Sequence, residues 1–252
     1  FRNRLSTVYQ YTGGGSAQAQ SGGKGTYLGA TTWKVDAKEI TRLCVAADAK
    51  WPCEKCVPQG LASVTGKSAQ ATSGFSGDGT LTLIAEYGYD PFNRRVLRAV
   101  AGSPTLLSAW DGWREIEEVS WNGTSVSEQR GYVWGAGLDE LVAYLRKVDG
   151  VWSKLYGHQD RMSSTHRLVD GAGATVEWYA YGPYGQPTVM NAGGQVIGTS
   201  SQVGNPYLWT GRRYDTETGL YYFRNRYYAP WIGRFMTEDP LGVWGDLTHY
   251  GN

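Results

Sequence analysis

From Leu81 onward the sequence consists of short runs of alternating apolar and polar residues, separated by turn residues about every dozen positions. Alternation with a period of two predicts half-buried strands, and Gly, Asn, Asp or Pro between the runs predicts tight reversals of the chain. We therefore predict a series of antiparallel hairpins. The predicted strands are Leu81–Tyr89, Val96–Val100, Glu115–Trp121, Gln129–Trp134, Glu140–Lys147, Arg167–Val169 and Val176–Tyr181.

Three dipeptides between these runs have the chemistry of two-residue hairpin turns. They are Asn122-Gly123, Asp149-Gly150 and Asp170-Gly171. Asn, Asp and Gly accept the positive φ that primed turns require, so we expect a tight reversal at each of the three places.

A weak internal repeat accompanies the hairpins at Tyr87–Arg94, Tyr179–Gln186 and Tyr227–Arg234. Each repeat is a predicted strand end with aromatic residues, followed by a proline and then by Gly or Asn. Proline fixes φ at the corner, and Gly or Asn permits the reversal. Because one hairpin cannot bury its own apolar face, we expect neighbouring copies to bury each other.

The composition supports an all-β chain, because Gly (35), Tyr (18) and Trp (11) are abundant while Met (3) is scarce. Before Leu81, the stretches Gly13–Gly29 and Gly60–Gly79 are rich in small residues and predict loops.

The net charge of +1 gives no broad field that would attract nucleic acid or anionic lipid. No apolar run approaches the roughly 20 residues of a membrane span, so we expect no membrane span.

Several longer motifs resemble one family. The run Tyr89-Asp90-Pro91-Phe92-Asn93-Arg94 resembles the YD repeat of RHS proteins, teneurins and toxin-complex C components. The segment Tyr156–Gln186 is similar to the RHS segment that precedes the core. The run Tyr207–Gly242, which includes Thr210-Gly211-Arg212-Arg213-Tyr214-Asp215, resembles the RHS-associated core domain. The resemblance extends from residue 81 to residue 252.

The resemblance implies an all-β fold in which antiparallel YD hairpins form a curved strip of a hollow β-cocoon and end in the RHS core. Residues 1–80 are then a loop-rich segment with short strands, residues 81–205 are hairpin repeats, and residues 206–252 are a truncated core. The chain begins with Phe1 and has no signal segment, so we expect a fragment of a longer protein. A whole cocoon requires more residues than this chain provides.

The same resemblance implies a structural function. We expect a segment of a secreted or cell-surface shell that encapsulates or delivers a C-terminal toxin domain. Its partners would be the rest of the shell and the enclosed toxin. The alternatives are a cell-surface adhesion or carbohydrate-binding YD module, with surface glycans as partners, and a self-cleaving aspartic protease core.

Self-cleavage is the one chemistry that the resemblance assigns to residues. The family's core domain cuts its own chain with an aspartate of an Asp-Pro-x-Gly motif, an arginine and a second aspartate. Asp239 and Arg226 match the first two, and the second aspartate would lie beyond Asn252. Two carboxylates that share a proton can activate water. We therefore expect no catalysis by the chain alone, and the simpler interpretation of Asp239-Pro240 is a turn.

Cys44, Cys53 and Cys56 could hold a metal, but no fourth ligand lies near them in the sequence, so one disulfide and one free thiol is the simpler interpretation. We expect no metal site and no cofactor.

His158, Asp160 and His166 lack a nucleophile and are interpreted as structural. Trp110, Trp113 and Trp134 are candidates for sugar stacking, although cross-strand packing is the simpler interpretation.

Overall fold

The computed structural model describes residues 7–12, 68–70 and 80–237. These residues fall into two compact units. The N-terminal unit contains residues 7–12, 68–70, 80–107 and 121–125, and the C-terminal unit contains residues 108–120 and 126–237. The cysteine cluster and Asp239 lie outside the described residues.

The N-terminal unit is a small antiparallel sheet centred on one long strand. Its strands are β1 (Thr7–Thr12), β2 (Ser68–Gln70), β3 (Thr80–Tyr89), β4 (Arg95–Val100) and the start of β5 (Thr105–Asp111). Strands β1, β2 and β4 all pair with β3. Strand β2 lies in a stretch that the sequence predicts as loop. That prediction was wrong for these three residues, because β3 supplies hydrogen-bond partners that their own pattern does not indicate.

The C-terminal unit contains a run of antiparallel strands in which each strand pairs with the next along the chain. Leu145 faces Gly131 on one side and Lys154 on the other, as expected of such hairpins. After the end of β5, the strands are β6 (Arg114–Trp121), β7 (Val126–Trp134), β8 (Leu141–Val148), β9 (Val151–Gln159), β10 (Thr165–Val169), β11 (Thr175–Tyr181), β12 (Pro187–Asn191) and β13 (Val196–Gly198).

A second, four-stranded sheet follows in the same unit, and we call it the core sheet. Its strands are β14 (Arg213–Asp215), β15 (Leu220–Phe223), β16 (Arg226–Ala229) and β17 (Arg234–Phe235), in that order. A 3-10 turn, Trp209–Gly211, precedes it. The described residues contain no α-helix and no helix that could span a membrane.

The antiparallel all-β prediction is therefore confirmed, and all seven predicted strands are present with ends displaced by a few residues. One displacement has a clear cause. Glu140 was predicted inside a strand but lies before β8, where its carboxylate accepts a hydrogen bond from the N–H of Gly137.

Tyrosine side chains fill much of the core of the C-terminal unit. The ring centroid of Tyr207 lies 5.0 Å from that of Tyr132 and 4.8 Å from that of Trp134, both in edge-to-face geometry. Aromatic pairs in this geometry add about 0.5–1.5 kcal/mol to the free energy that burial of their area contributes. The buried cluster comprises Tyr132, Leu141, Tyr144, Leu155, Leu168, Tyr179, Val189, Tyr207, Leu208, Tyr214, Tyr221 and Tyr228.

The three predicted two-residue turns have different outcomes. Asp149 and Gly150 both have positive φ, at 50° and 81°, as a type I′ turn requires, so that prediction is confirmed. The prediction for Asp170-Gly171 was wrong, because the positive φ falls at Gly173. Asn122 begins the loop between β6 and β7, in which its side-chain oxygen accepts the N–H groups of residues 124 and 125.

A five-residue loop recurs along the chain, and two of its copies, at Asp90 and Gly182, lie in the predicted repeats Tyr87–Arg94 and Tyr179–Gln186. In the loop that begins at Asp90, the side-chain oxygen of Asp90 accepts the N–H groups of Phe92 and Arg94, both at 2.9 Å, and Asn93 has φ of 68°. The loops that begin at Asp160, Asp170 and Asn191 repeat these two hydrogen bonds. The loop at Gly182 has the same backbone hydrogen bonds without a side-chain acceptor.

Candidate functional site: the anchored core sheet

One arginine fastens the core sheet to the strands that precede it. Arg213, at the start of β14, is only 6% exposed. Its guanidinium lies 2.9 Å from a carboxylate oxygen of Glu115 and also contacts Glu118, and each of these two glutamates is 1% exposed. Buried charges are tolerated only when they are paired in this way. The ion pairs therefore hold β14 against β6.

Tyr207 and Arg130 complete this buried network. The hydroxyl of Tyr207 donates to Glu115, and Arg130 lies 2.6 Å from Glu118. Burial, followed by the negative charge of Glu115, raises the pKa of Tyr207 well above its ordinary value. The tyrosine consequently stays neutral and acts as a hydrogen-bond donor. Two arginines thus balance two glutamates, which is the arrangement a structural network requires.

Glu128 extends the network toward the surface. Its carboxylate lies 2.7 Å from Arg130 and 2.6 Å from Arg146. Burial alone would raise the pKa of Glu128, but hydrogen bonds and positive charge from both arginines lower it below its ordinary value. Glu128 is therefore ionised in the folded protein at neutral pH.

The loop that begins at Gly182 supplies a second set of anchors. The hydroxyl of Tyr221 donates to the carbonyl of Gly185 at 2.8 Å, and that of Tyr228 donates to the carbonyl of Tyr184 at 3.1 Å. Gly185 has φ of 85° and packs so closely on Trp209 that a Cβ would overlap the indole ring. The hairpin loop and the core sheet are thus fitted to each other.

Glu177 fixes the segment that leads from β13 to the core sheet. It is 2% exposed and accepts hydrogen bonds from the hydroxyls of Tyr179 and Ser201, at 2.5 and 2.6 Å, and from the N–H groups of Gln202 and Val203. A buried carboxylate with this many donors is well compensated. The connection is therefore held in one conformation.

Of the two residues predicted for self-cleavage, the structure describes Arg226. It begins β16, and its guanidinium carbon lies 3.8 Å from the ring centroid of Phe235 in β17. The chain then continues from Phe235 toward Asp239, which lies outside the described residues. The pairing of Arg226 with Asp239 stays a prediction.

The histidine and aspartate candidates belong to hairpins β9–β10 and β10–β11. Asp160 begins one of the five-residue loops, and the ring nitrogen Nε2 of His166 lies 3.2 Å from its carboxylate. Burial raises the pKa of Asp160. Hydrogen bonds from the N–H of Ser164 and from the His166 ring lower the pKa by more, so it lies below its ordinary value. His158 faces Arg167 across the strands. No group of three or more potential metal ligands occurs among the described residues.

The tryptophans proposed for sugar stacking differ in their surroundings. The indole N–H of Trp134 donates to the carbonyl of Glu115 at 2.6 Å, so Trp134 belongs to the core. Trp110 and Trp113 line a shallow cleft beside Arg212 and Arg224. Two more exposed tryptophans, Trp152 and Trp178, each lie under a cation of the neighbouring strand rather than in a row.

The network of Glu115, Glu118 and Arg213 was not predicted. Its members lie 95 to 98 positions apart along the chain, so no local spacing relates them. The one available signal is the Glu115-Ile116-Glu117-Glu118 run inside a predicted strand, because side chains alternate along a strand, so at least one of these charges lies on the buried face and requires a partner.

No protein-family model matches the chain. Among curated proteins, the chain is 25% identical over 223 residues to "Double-stranded DNA deaminase toxin A" of Burkholderia cenocepacia, an alignment that covers 77% of this chain and 15% of that protein. It is 28% identical over 167 residues to "Probable deoxyribonuclease RhsA" of Dickeya dadantii, which covers 66% of this chain and 11% of that protein. The chain thus spans less than a fifth of the length of these two relatives.

A solved structure has the same fold. The crystal structure of TcdB2-TccC3-TEV superposes with a TM-score of 0.50 and 20% identity, covering 74% of this chain and 9% of that chain. This likeness confirms the fold and nothing further. The sequence motifs and these relatives make the chain similar to RHS-type proteins, and toxins are among the relatives.

Proposed function

We propose that the chain forms part of the wall of a shell that encloses a C-terminal toxin domain of a longer, secreted or surface-delivered protein. The observation that carries this proposal is the anchoring of the core sheet to consecutive hairpins through Arg213, Glu115 and Glu118, all nearly fully buried. A wall made of hairpins needs an end that is held firmly, and this network provides one.

The surface chemistry supports a wall more than a binding module. The near-neutral charge gives no field for nucleic acid, although a deaminase and a deoxyribonuclease occur among the relatives' names. We assign those activities, by proposal, to segments beyond this chain. The carbohydrate alternative loses one of its three candidate tryptophans, because Trp134 is committed to the core.

Enclosure can be tested by proteolysis of the longer protein that contains this chain and a toxin segment. We expect the attached toxin segment to resist a nonspecific protease under native conditions and to become sensitive when urea unfolds the shell. The control is the same toxin segment expressed alone. Equal digestion rates for the attached and isolated segments would contradict enclosure.

Self-cleavage is proposed as a property of that longer protein. Asp239 would share a proton with a second aspartate beyond Asn252, so that one carboxylate takes a proton from water while the resulting hydroxide attacks the scissile carbonyl. The other carboxyl group, which holds the shared proton, would protonate the leaving amine. Arg226, placed on Phe235 at the end of the core sheet, could keep one carboxylate ionised.

The test of self-cleavage is the Asp239→Asn variant of the longer protein. We expect no released C-terminal fragment on a denaturing gel. Asp149→Asn serves as the matched control, because Asp149 lies in an exposed type I′ turn that accepts asparagine equally well. Release of the fragment from Asp239→Asn at the rate of the unaltered protein would contradict the assignment of Asp239 to self-cleavage.

A further inference from the structure

Backbone strain is concentrated at one place in the C-terminal unit. Among the described non-glycine residues with positive φ, Asn93, Asp149 and Ser163 lie in the hairpin loops described above. The other three are Asp139, Thr210 and Arg224, with φ of 58°, 51° and 58°. Non-glycine residues in this conformation carry a cost in free energy and tend to cluster at functional sites.

Asp139 and Arg224 form an ion pair, and the residue after Thr210 packs against Asp139. Asp139 is 8% exposed, and its two oxygens contact Arg212, at 2.7 Å, and Arg224. Thr210 directly precedes Gly211, which approaches Asp139 so closely that an added Cβ would lie 2.5 Å from the carbonyl oxygen of Asp139. Arg224 occupies the first position of the two-residue β15–β16 turn, where positive φ normally selects glycine. An arginine there indicates that its side chain is needed.

The charges around Asp139 do not balance. Of the four arginines that line the cleft, Arg213 is neutralised by Glu115 and Glu118. Arg114, Arg212 and Arg224 remain, with Asp139 as the only other carboxylate in the lining. The cleft therefore carries an excess of positive charge.

One of the residues that line the cleft carries a buried donor without an acceptor. The Nε of Arg212 is buried and makes no hydrogen bond to any residue that the structure describes. Burial lowers the pKa of Arg212, the charge of Asp139 raises it and the charge of Arg224 lowers it again. The pKa therefore lies below its ordinary value. An uncompensated buried donor on a cation is costly, and an anion beside it would remove that cost.

The size of the cleft limits what can enter. The cleft is partly open to solvent, and its cavity volume is about 20 Å³, close to the space that one water molecule needs. This space admits a carboxylate group and excludes a sugar ring. At the rim, Trp113 is 49% exposed and offers an apolar surface to whatever flanks that carboxylate.

We propose that the cleft of Arg114, Arg212 and Arg224 binds an acidic side chain of a peptide segment, with the flanking residues of the peptide against Trp113. Guanidinium groups are suited to this ligand because their planar donors match the two oxygens of a carboxylate. The site does not involve Arg226 or Asp239, so it stands apart from the proposed self-cleavage.

The test uses this chain and a capped tripeptide with a central glutamate between leucines, followed by NMR of the tryptophan indole N–H signals. We expect saturable shifts of the Trp110 and Trp113 signals. The glutamine version of the peptide should bind at least about tenfold more weakly, as loss of a charge-assisted hydrogen bond predicts. Equal binding of the two peptides would overturn the proposal.

Two variants locate the site. Arg224→Gly removes a cation and also relieves the positive φ, so the fold should be kept while affinity falls about tenfold. Arg114→Gln, at an exposed position, should weaken binding without any effect on folding. Lys154→Ala removes an exposed cation elsewhere in the same unit and should leave affinity unchanged. Unchanged affinity in both arginine variants would refute the site.

A further binding experiment, with glucuronic acid in place of the peptide, distinguishes a peptide ligand from an acidic polysaccharide. Glucuronic acid carries the same carboxylate on a pyranose ring, and we expect it to bind at least about tenfold more weakly than the glutamate peptide, because the ring cannot enter the cleft. Tighter binding of glucuronic acid than of the peptide would overturn the assignment to peptides in favour of an acidic polysaccharide.

Discussion

Single acidic or amide side chains determine how most of the repeated loops are built. In the loops that begin at Asp90, Asp160, Asp170 and Asn191, the first side chain accepts two backbone N–H groups, and a residue with positive φ follows at the fourth position. The aspartate of the YD motif therefore has a structural function in the turn. This function could be predicted from the residue type, whereas the length of the loop could not.

The stabilising effect of the first side chain of these loops can be tested by removing it from one loop and adding it to another. We expect Asp170→Ala to lower the free energy of unfolding by about 0.5–2 kcal/mol, because two N–H groups lose their acceptor. Gly182→Asp should be neutral or stabilising, because the Gly182 loop has the same backbone and has room for a Cβ, 3.6 Å from Gln186. Urea unfolding of both variants measures this. A destabilised Gly182→Asp together with a neutral Asp170→Ala would contradict the loop rule.

Glu128 should make stability depend on pH. Its folded-state pKa lies below the ordinary 4.5, since burial raises the pKa but Arg130 and Arg146 lower it further. The unfolded chain therefore binds this proton more readily, and the stabilisation is complete above about pH 4.5 and lost as the pH falls through the folded-state pKa.

The matching variant is Glu128→Gln. We expect it to lose about 1–3 kcal/mol at pH 7 relative to the unaltered chain, and the difference should shrink as the pH falls to about 3. Asp149→Asn, which replaces an exposed carboxylate in a turn, should show no such change. Urea unfolding at both pH values supplies the measurement, and an equal deficit at the two would show that Glu128 has no electrostatic effect.

At the scale of elements, the strands were predictable and their assembly was not. Period-two alternation located β3, β4, β6, β7, β8, β10 and β11 because each strand has one buried face, whereas β9 was not predicted. The three residues of β2 have no such pattern and form a strand only because β3 offers partners. Likewise, Arg213 lies 98 positions after Glu115, so the attachment of the core sheet depends on tertiary contacts that local spacing does not encode.

Removal of the central arginine should release the core sheet. We expect Arg213→Ala to cost about 3–5 kcal/mol, because Glu115 and Glu118 would stay buried without a counter-charge. Arg167→Ala is the matched control: it removes an arginine that lies on Trp178, and such a contact is worth about 1 kcal/mol or less at a partly exposed site. Thermal unfolding followed by circular dichroism compares the two. Similar losses in both variants would show that the buried network is not the anchor.

At the scale of the whole molecule, the sequence motifs and the structure agree on antiparallel hairpins followed by a second, four-stranded sheet. Motif resemblance predicted the family and the all-β class, since both depend on short-range patterns of aromatic, proline and glycine residues. The buried ion network and the strained cleft at Asp139 could not be predicted, because each brings together residues from distant strands.

The most direct measurement of the central claim is a cryo-electron microscopy structure of the longer protein with its toxin segment attached. We predict that the strands described here continue into a closed wall, and that the C-terminal segment lies inside it. A map in which these strands form an open strip, with the C-terminal segment outside in solvent, would contradict the account.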